Sequence, residues 1–339
     1  MPRISFILPV YNMEAYLPRV LRSLRAQTLP DFEAILVNDG SRDRSGELCA
    51  QAATEDSRFR FIDQPNSGVA AARNAALDAA RGEYLFFLDP DDWIETDAAE
   101  ILYHTAREAD ADLVLFGVFH DYYNAEGQLL RTTADPPPLP EGVYRGEPCK
   151  QQFDKLASSY LVITKLFRRA CVERAGLRFP CRQLGEDGLF YTAFCRTNPA
   201  CVAAVRRPLY HYTIARKASL SNSYHPERLQ DNFYLSNAVW DTVAAWGLLE
   251  SPKHLQKARF CTVRDLQMGI KNLALSPLTT AQRTAWLREA LRDPRVRQAV
   301  QHAPLRHLKV NDKVKLLLCR LHLYRAVVLL SSVNQHRNG

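Results

Sequence analysis

The sequence predicts an α/β protein: a doubly wound, mainly parallel, Rossmann-like sheet followed by a C-terminal helical region. Short apolar stretches alternate with helical patterns over residues 4–119, and strands that alternate with helices at this spacing indicate βαβ units. The predicted strands are nearly continuous apolar runs, which is typical of strands buried on both faces. Beyond Pro226 the apolar positions stay periodic without a strand pattern, so we expect helices there.

Each element of the sheet domain follows from its local pattern. Residues 14–27 place Leu17, Val20, Leu21 and Leu24 on one helical face, and an alanine-rich stretch at 69–80 also favours a helix. By the same criteria, the predicted strands are 4–10, 32–37, 59–62, 84–88 and 113–119, and the other helices are 47–55 and 98–109.

The pattern becomes less regular after residue 120. Four prolines within 136–140 predict that 121–146 is an irregular insertion or a lid. Order resumes at 161–169, and the later elements are a helix at 189–195 and strands at 200–205 and 209–214. With a boundary near 221–225, the predicted domains are 1–222, with halves of about 1–118 and about 119–222, and a helical region at 223–339.

The composition argues against several classes of protein. The 339 residues are 47% apolar and 24% charged, as in an ordinary soluble globular protein. The eight cysteines are scattered without a CxxC pair, which indicates reduced thiols in the cytoplasm rather than a zinc site or a disulfide framework. No signal-peptide pattern and no apolar run of about 18 residues occurs, so we expect neither export nor a membrane span.

The central predicted strand ends in three acidic residues, Asp89, Asp91 and Asp92. In an open α/β sheet, ligands bind beyond the carboxyl ends of the strands. Carboxylates crowded there favour a hard cation, Mn²⁺ or Mg²⁺, that carries a diphosphate on its other faces. Pro90 stiffens the turn between them. The alternative is that these acids only cap a helix that starts near Thr96.

Four predicted loops follow strands of the sheet, at residues 9–12, 38–41, 66–68 and 89–92. They share one edge of a parallel sheet and can converge on one ligand. A buried Asp39 carboxylate would accept N3–H of uracil, a donor that cytosine lacks, and would therefore select a uracil nucleotide. Tyr11 is placed to stack on the base or to contact the ribose. The alternative is that 38–41 is only a turn, which Asn, Asp and Gly favour.

The third loop leads into a helix, where backbone N–H groups favour an anion. Gly68 permits a ligand to approach the backbone there, and Arg73, one turn further along, is placed to reach a phosphate. The alternative for Arg73 is an ordinary solvated helix position. Residues 9–14 lack the GxGxxG pattern of dinucleotide-binding sites, which argues against an NAD-dependent dehydrogenase.

The sequence resembles the family 2 glycosyltransferases with the GT-A fold, similar to bacterial capsule and lipopolysaccharide glycan synthases. The resemblance rests on four motifs in a consistent order: SFILPVYN at 5–12, VNDGS at 37–41, NSG at 66–68 with ARN at 72–74, and FLDPDDW at 87–93. It extends over roughly residues 4–221. It implies that the first half of this domain binds the sugar-nucleotide donor and the second half the acceptor.

The resemblance also assigns roles to residues. Asp89 and Asp91 match the metal-binding DxD motif for Mn²⁺ or Mg²⁺, and Asp187 matches the general base of inverting members. Tyr210, His211 and Tyr212 with Arg216 and Ser219 match a segment that closes over the diphosphate. The residues assigned to donor binding are Pro9, Tyr11, Asn12, Glu14, Asp39, Asn66, Gly68, Arg73, Asp89, Pro90, Asp91, Glu186, Arg216 and Ser219.

The implied reaction transfers a sugar, with inversion, from a UDP-sugar to a hydroxyl of a glycan or lipid-linked glycan. Asp187 would take the proton of the attacking hydroxyl, while the metal and Arg73 neutralise charge on the departing UDP. The acids at 186–187 also fit a helix N-cap. His211 fits a third metal ligand or a hydrogen-bonded core histidine, and Trp93 fits a floor for the sugar or a core indole.

Two rival functions use different chemistry. A sugar-phosphate nucleotidyltransferase needs a glycine-rich loop with a basic residue after the first strand, which residues 9–14 lack. A non-catalytic glycan- or nucleotide-binding module has no need of a base, yet acidic residues stand at Asp89, Asp91 and Asp187.

The net charge of +7 is concentrated toward the C-terminus, where residues 302–339 contain seven Lys or Arg and one acid. Residues 311–331 predict a basic helix with one apolar face, formed by Leu317, Leu321, Tyr324 and Val328. Such a helix fits an anionic membrane surface, the inner face of the cytoplasmic membrane. The alternative is packing on the first domain or on a second subunit of a homo-oligomer. Nucleic acid is not an expected partner, because no reading motif accompanies the bases.

Overall fold

The computed structural model describes residues 1–124, 126–157, 160–181, 185–215, 228–305 and 308–333, without the side chains at 215, 228–232, 332 and 333. The chain forms two compact units, Met1–Lys217 and Ala218–Gly339. The boundary predicted near 221–225 lies a few residues further along the chain.

The first unit contains one sheet, with ten strands among the described residues. They are β1 (Ile4–Val10), β2 (Phe32–Asp39), β3 (Phe59–Gln64), β4 (Tyr84–Phe87), β5 (Trp93–Ile94), β6 (Leu113–Tyr123), β7 (Leu129–Asp135), β8 (Gly142–Arg145), β9 (Lys165–Arg168) and β10 (Cys201–Ala215). The order across the sheet is β3-β2-β1-β4-β9-β6-β10-β5, with β7 beside β6 and β8 beside β10.

Helices cover both faces of this sheet. They are α1 (Leu17–Arg25), α2 (Ser45–Glu55), α3 (Val69–Ala79), α4 (Ala98–Glu108), α5 (Glu147–Gln151), α6 (Phe153–Leu156), α7 (Arg169–Arg174) and α8 (Glu186–Arg196), with a 3₁₀ turn at Val162–Thr164. Every residue of β1, β2 and β4 is buried, as strands covered on both faces require. Strands β1, β2, β3, β4, β6 and β10 run in one direction. The predicted doubly wound, mainly parallel sheet is therefore confirmed.

The strand order creates a crevice at one edge of the sheet. The chain passes from β1 to β2 and β3 on one side and then continues at β4 on the other side of β1. The loops after β1 and β4 therefore diverge, and this switch point is where open α/β sheets bind ligands. All four predicted loops meet there.

Two local predictions are wrong. The segment predicted as an irregular insertion, 121–146, instead extends β6 and adds β7 and β8 as antiparallel neighbours. The two strands predicted at 200–205 and 209–214 form the single strand β10, whose register shifts around Pro208. A bulge tolerates proline because the missing N–H need not join the ladder.

The second unit is helical in its described residues, as predicted. Its helices are α9 (Arg228–Ala245), α10 (Pro252–Leu275), α11 (Thr280–Ala290), α12 (Pro294–His302), α13 (Val310–Arg320) and α14 (Tyr324–Val333). Side-chain oxygens of Thr279 and Asp293 accept backbone N–H bonds at the starts of α11 and α12, which fixes where these helices begin. Within the described ranges, no helix is both long enough and apolar enough to cross a bilayer.

The single helix predicted over 311–331 is wrong, because the chain turns between α13 and α14. His322 adopts a left-handed backbone conformation in that turn, with φ of +59°. The predicted apolar face is split by the turn: Leu321 is 66% exposed, whereas Val328 is buried. The buried face of α13 instead carries Leu316 and Cys319.

Candidate functional site

A cavity of about 520 Å³ opens at the switch point of the sheet. It lies at the carboxyl ends of β1 and β4 and the start of α3. Its lining residues are Pro9, Val10, Tyr11, Met13, Asp39, Asn66, Gly68, Val69, Ala72, Arg73, Asp89, Pro90 and Asp91. Nine of the residues predicted to bind a donor are therefore brought together by the fold.

Asp39 organises the loop before α3. Its Oδ1 accepts hydrogen bonds from Gln64 Nε2 at 2.7 Å and from the Ser67 N–H at 2.9 Å, and its Oδ2 accepts from the Gly68 N–H at 2.8 Å. Asn66 Nδ2 donates to the Asp39 carbonyl at 3.0 Å. Gly68 has φ of +88°, a conformation that glycine adopts at little cost. The loop is thus held at the cavity wall before any ligand binds.

Asn12 and Glu14 have a different place from the one predicted. Asn12 Oδ1 accepts from the Arg42 N–H at 2.8 Å, and Glu14 Oε2 accepts from the Arg44 N–H at 3.0 Å. Both side chains therefore join the loop after β1 to the loop after β2, and neither lines the cavity. Tyr11, between them and β1, does line it and is 42% exposed.

The acidic turn after β4 is fixed to β10 by Asp92. This carboxylate is buried and accepts bonds from Tyr210 Oη at 2.6 Å and from the Thr213 N–H at 2.7 Å. Burial, with the charges of Asp91 and Asp89, raises its pKa to about 8. Asp92 thus holds the turn in place, while its two acidic neighbours face the cavity.

Arg19 also positions this turn, and the local sequence pattern did not identify it. Its Nη2 donates to the Asp91 carbonyl at 2.5 Å and to Thr213 Oγ1 at 2.7 Å, and its Nη1 donates to Tyr123 Oη at 2.6 Å. Arg19 lies on α1, far from these partners in sequence. A basic residue on the polar side of an amphipathic helix gives no local signal of such a role.

A buried arginine connects two groups of acids. Arg73 Nη1 lies 2.5 Å from Asp187 Oδ1 and 3.3 Å from Glu186 Oε1, and its Nη2 lies 3.0 Å from Asp89 Oδ1. Although burial opposes its charge, Asp187, Asp89 and Glu186 raise the pKa of Arg73. The solvated alternative for Arg73 is wrong, because the residue is 3% exposed. Arg73 therefore pairs with three carboxylates at once. Its Nε has no hydrogen-bond partner among the described residues.

Asp187 lies in the first turn of α8, whose N-cap is Gly185. Neither Glu186 nor Asp187 caps this helix with its side chain, so the capping alternative is wrong. Burial raises the pKa of Asp187 to about 7; Asp89 and Glu186 add to the rise, and Arg73 and Lys165 oppose it. A carboxylate with a pKa near neutrality can accept a proton during a reaction at that pH.

Lys165, a second basic residue that the sequence pattern did not reveal, lies near Asp187. It is fully buried, donates to the Leu161 carbonyl and stands 4.3 Å from the centre of the Tyr191 ring. Burial lowers its pKa to about 7. A lysine within the apolar run at 161–167 was the available signal, since buried lysines are rare and need a partner.

The prediction that His211 is a third metal ligand is wrong. Its Nδ1 lies 2.9 Å from Asp121 Oδ2 and its Nε2 lies 2.9 Å from Glu95 Oε1, so neither nitrogen is available to a cation. The ring is stacked between Trp93 and Phe119, at centroid distances of 3.4 and 4.4 Å. Trp93 is thus a packing residue and not part of the cavity lining. The predicted residues Arg216 and Ser219 lie outside the described residues.

Asp89 and Asp91 have the chemistry of a divalent cation site. Burial and the charge of Asp89 raise the pKa of Asp91, so a cation at the cavity would relieve this repulsion. Oxygen ligands of this kind suit Mg²⁺ and Mn²⁺. In the described ranges, no group of three or more His, Cys, Asp or Glu side chains is placed to hold an ion.

Comparisons with known proteins identify the family and the fold. Residues 5–171 match the sequence profile of "Glycosyl transferase family 2". EpsJ of Bacillus subtilis, an uncharacterized glycosyltransferase, is 32% identical over 332 residues, which cover 95% of this chain and 93% of EpsJ. The poly(ribitol-phosphate) beta-glucosyltransferase of Bacillus spizizenii is 28% identical over 304 residues, covering 84% of this chain and 44% of that protein.

The fold is similar to that of a solved structure, residues 1–349 of TarS from S. aureus in complex with UDP-GlcNAc. The TM-score is 0.70 at 21% identity, and the match covers 98% of this chain and 92% of the TarS chain. At this identity the similarity concerns the fold, which is of the GT-A type with additional C-terminal helices.

Proposed function

This chain belongs to glycosyl transferase family 2 and is a transferase enzyme; from this premise we propose that it moves a sugar from a UDP-sugar to a hydroxyl of a glycan or lipid-linked glycan. The proposed transfer inverts the anomeric carbon, requires Mn²⁺ or Mg²⁺ and serves the synthesis of a surface polysaccharide. The observation that carries the proposal is the contact of one buried guanidinium, that of Arg73, with both Asp89 at the cavity and Asp187.

The residues that line the cavity support a uracil nucleotide as donor. Asp39 Oδ2 accepts one hydrogen bond, from Gly68, and a carboxylate oxygen can accept a second. Tyr11 offers an exposed ring at the same wall. The TarS structure was solved with UDP-GlcNAc, which supports the same class of donor for this chain.

Asp89 and Asp91 would hold the metal, which supplies positive charge to the departing diphosphate when bound. The Arg73 guanidinium contacts Asp89 and adds a fixed positive charge at the same wall. Asp92, Tyr210 and Arg19 hold the turn that carries both aspartates, so the two carboxylates are positioned in advance.

Asp187 is the proposed base. It accepts the proton of the acceptor hydroxyl as that oxygen attacks the sugar from the face opposite the diphosphate. A pKa near 7 matches this task better than that of an exposed aspartate, because it balances proton affinity against the fraction ionised. Before an acceptor arrives, Arg73 holds this carboxylate at 2.5 Å.

The acceptor and the location are inferred from relatives and from the second unit. The poly(ribitol-phosphate) beta-glucosyltransferase of Bacillus spizizenii acts on a polymer, which supports a surface polymer as acceptor here. Helix α13 exposes apolar side chains at Val310, Val314 and Leu317, and Lys309 and Lys313 lie on the same helix or at its start. This face supports peripheral attachment to the inner surface of the cytoplasmic membrane.

The rival functions gain no support from the site. A nucleotidyltransferase must hold a triphosphate, and the loop after β1 ties itself to the neighbouring loop through Asn12 and Glu14 rather than offering a basic cradle. A non-catalytic binding module needs no proton acceptor, so that function does not account for the raised pKa of Asp187.

The test is UDP release from a panel of UDP-sugars, measured with Mn²⁺, with Mg²⁺ and with EDTA. We expect release with one or a few sugars, increased by an acceptor glycan and abolished by EDTA. Asp187→Asn is the matched control, since it should bind UDP without turnover. Failure to release UDP from any sugar, with metal and acceptor present, would contradict the proposal, as would metal-independent turnover.

A further inference from the structure

A second cavity, of about 370 Å³, lies in the C-terminal unit, between the end of α11, the helix α12 and the turn that joins α13 to α14. Its floor is formed by the buried residues Leu291, Val300 and Cys319. Its rim is basic and consists of Arg288, Arg292, Arg297, Arg320 and His322. In the described part of the chain, no aspartate or glutamate lines it.

These bases come from separate elements of the unit. Arg288 lies in the last turn of α11, Arg297 on α12, and Arg320 at the end of α13. His322 reaches the rim from the turn, where its left-handed backbone is uncommon for a residue other than glycine. The concentration of positive charge is therefore produced by the packing of three helices and is not a run of basic sequence.

Arg320 is held in a fixed orientation. Its Nε donates to the Val300 carbonyl and its Nη2 to the Ala303 carbonyl, both at 2.7 Å. These bonds satisfy carbonyls at the end of α12 and leave Nη1 for another acceptor. A guanidinium anchored in this way loses little further entropy when it binds an anion.

The positive charges of the rim arginines are only weakly neutralised by acidic side chains. Arg292 pairs with Glu289 at 2.7 Å, but both side chains are 69% exposed, and such surface pairs contribute little. For Arg288, Arg297 and Arg320, the described residues provide no acidic partner within ion-pair distance. Four guanidinium groups around one concave surface repel one another, and an anion with several oxygens would relieve that repulsion.

We propose that this cavity binds a phosphate or diphosphate group, supplied by the head group of an anionic lipid or by a free phosphate compound. Guanidinium groups match phosphate oxygens in pairs, and the volume is at the lower end of ligand sites, which suits a compact anion above an apolar floor. The cavity shares no lining residue with the one at the sheet edge. Its function can therefore be tested separately from sugar transfer.

The experiment compares the full-length protein with Arg288→Gln/Arg297→Gln, which removes two positive charges from exposed rim positions. The matched control is Lys253→Gln/Lys271→Gln, which removes the same charge from exposed positions of the same unit outside the cavity. Each protein is titrated calorimetrically with pyrophosphate in EDTA. Each is also sedimented with vesicles of phosphatidylcholine containing or lacking phosphatidylglycerol. Thermal unfolding checks that all three fold.

We expect the rim variant to bind at least one of the two probes roughly 100-fold more weakly, because removing each charge-assisted hydrogen bond weakens binding about tenfold. The control should bind like the original protein. If the rim variant binds only pyrophosphate more weakly, the ligand is a free phosphate compound. If it binds only phosphatidylglycerol vesicles more weakly, the ligand is a lipid head group. Equal binding by the rim variant and the original protein would overturn the proposal. An equally weakened control would overturn it as well, since diffuse charge would then explain the binding.

Discussion

Two clusters in the first unit each place acidic side chains around one basic group, and they differ in what is left unsatisfied. In the His211 cluster, Asp121 and Glu95 occupy both ring nitrogens, and aromatic rings cover both faces. In the Arg73 cluster, Asp89 and Asp187 keep 27% and 22% of their side-chain surface exposed, and the arginine lines a cavity.

Under the proposed function, the difference separates a structural cluster from a reactive one. In the first, each polar atom of the histidine already has its partner, so the cluster can only hold strands β5, β6 and β10 together. In the second, two of the acids keep part of their side-chain surface exposed, and the pKa of Asp187 is raised to about 7. Residue types alone do not distinguish them; spare bonding capacity and access to a cavity do.

The strongest test of this difference is to replace one aspartate by asparagine in each cluster. Asp187→Asn should lower transfer by roughly two to four orders of magnitude, since it removes the proposed base. Binding of UDP, measured by calorimetry with Mn²⁺, should persist, and the thermal unfolding midpoint should hardly fall because Arg73 retains two acids. Normal turnover by this variant would show that another group takes the proton.

Asp121→Asn makes the matched change in the structural cluster. It removes a buried charge from His211 and disturbs the bond that Asp121 Oδ1 accepts from Thr132 Oγ1 at 2.7 Å. We expect the free energy of unfolding to fall by about 2–4 kcal/mol, measured by urea denaturation. Turnover per folded molecule should stay within about threefold of the original, because no reacting group is removed. Full stability with abolished activity would reverse the assignment of the two clusters.

Asp91→Ala tests the proposed metal site beside Arg73. Donor affinity with Mn²⁺ should weaken by about 10- to 100-fold, the usual effect of removing a group that supports a metal site. Without metal, the two proteins should bind UDP with similar affinity. Calorimetric titrations with and without Mn²⁺ measure both quantities, and equal affinities under both conditions would exclude Asp91 as a ligand.

The pH dependence of turnover gives a smaller effect with a defined sign. Asp187 must be ionised to accept a proton, and burial raises its pKa to about 7. The rate should therefore rise with pH through about 7 and fall by roughly tenfold one unit below that value. A profile that is flat between about pH 5 and 8 would contradict the assignment of this base.

The smallest expected effect concerns Lys165, which lies close to the reactive cluster. Its positive charge lowers the pKa of Asp187, so Lys165→Met should move the acidic limb of the pH–rate profile to higher pH by less than about one unit. A merely structural lysine would change the unfolding midpoint without moving this limb. Measuring both quantities on the same preparation separates these roles.

Local sequence patterns were sufficient to predict the strands and loops that form the site. The apolar runs of β1, β2 and β4 and the loops after them are short-range features, and they place Asp39, Asp89 and Asp91 at one edge of the sheet. Arg19 was missed because its partners are distant in the chain, whereas Lys165 was missed although its place in an apolar run was a local signal. Arg19, for example, bonds to Thr213 across 194 residues.

The sequence by itself determined the family, the parallel sheet and the position of the acidic residues at the sheet edge. Strands buried on both faces and turns are both indicated by the types of neighbouring residues. Only the tertiary structure decided which basic side chain forms ion pairs with which acidic side chains. His211 meets Glu95 and Asp121 across 116 and 90 residues because β10 pairs with β5 and β6. Such pairings depend on strand register, and register is set by the whole sheet and not by any one segment.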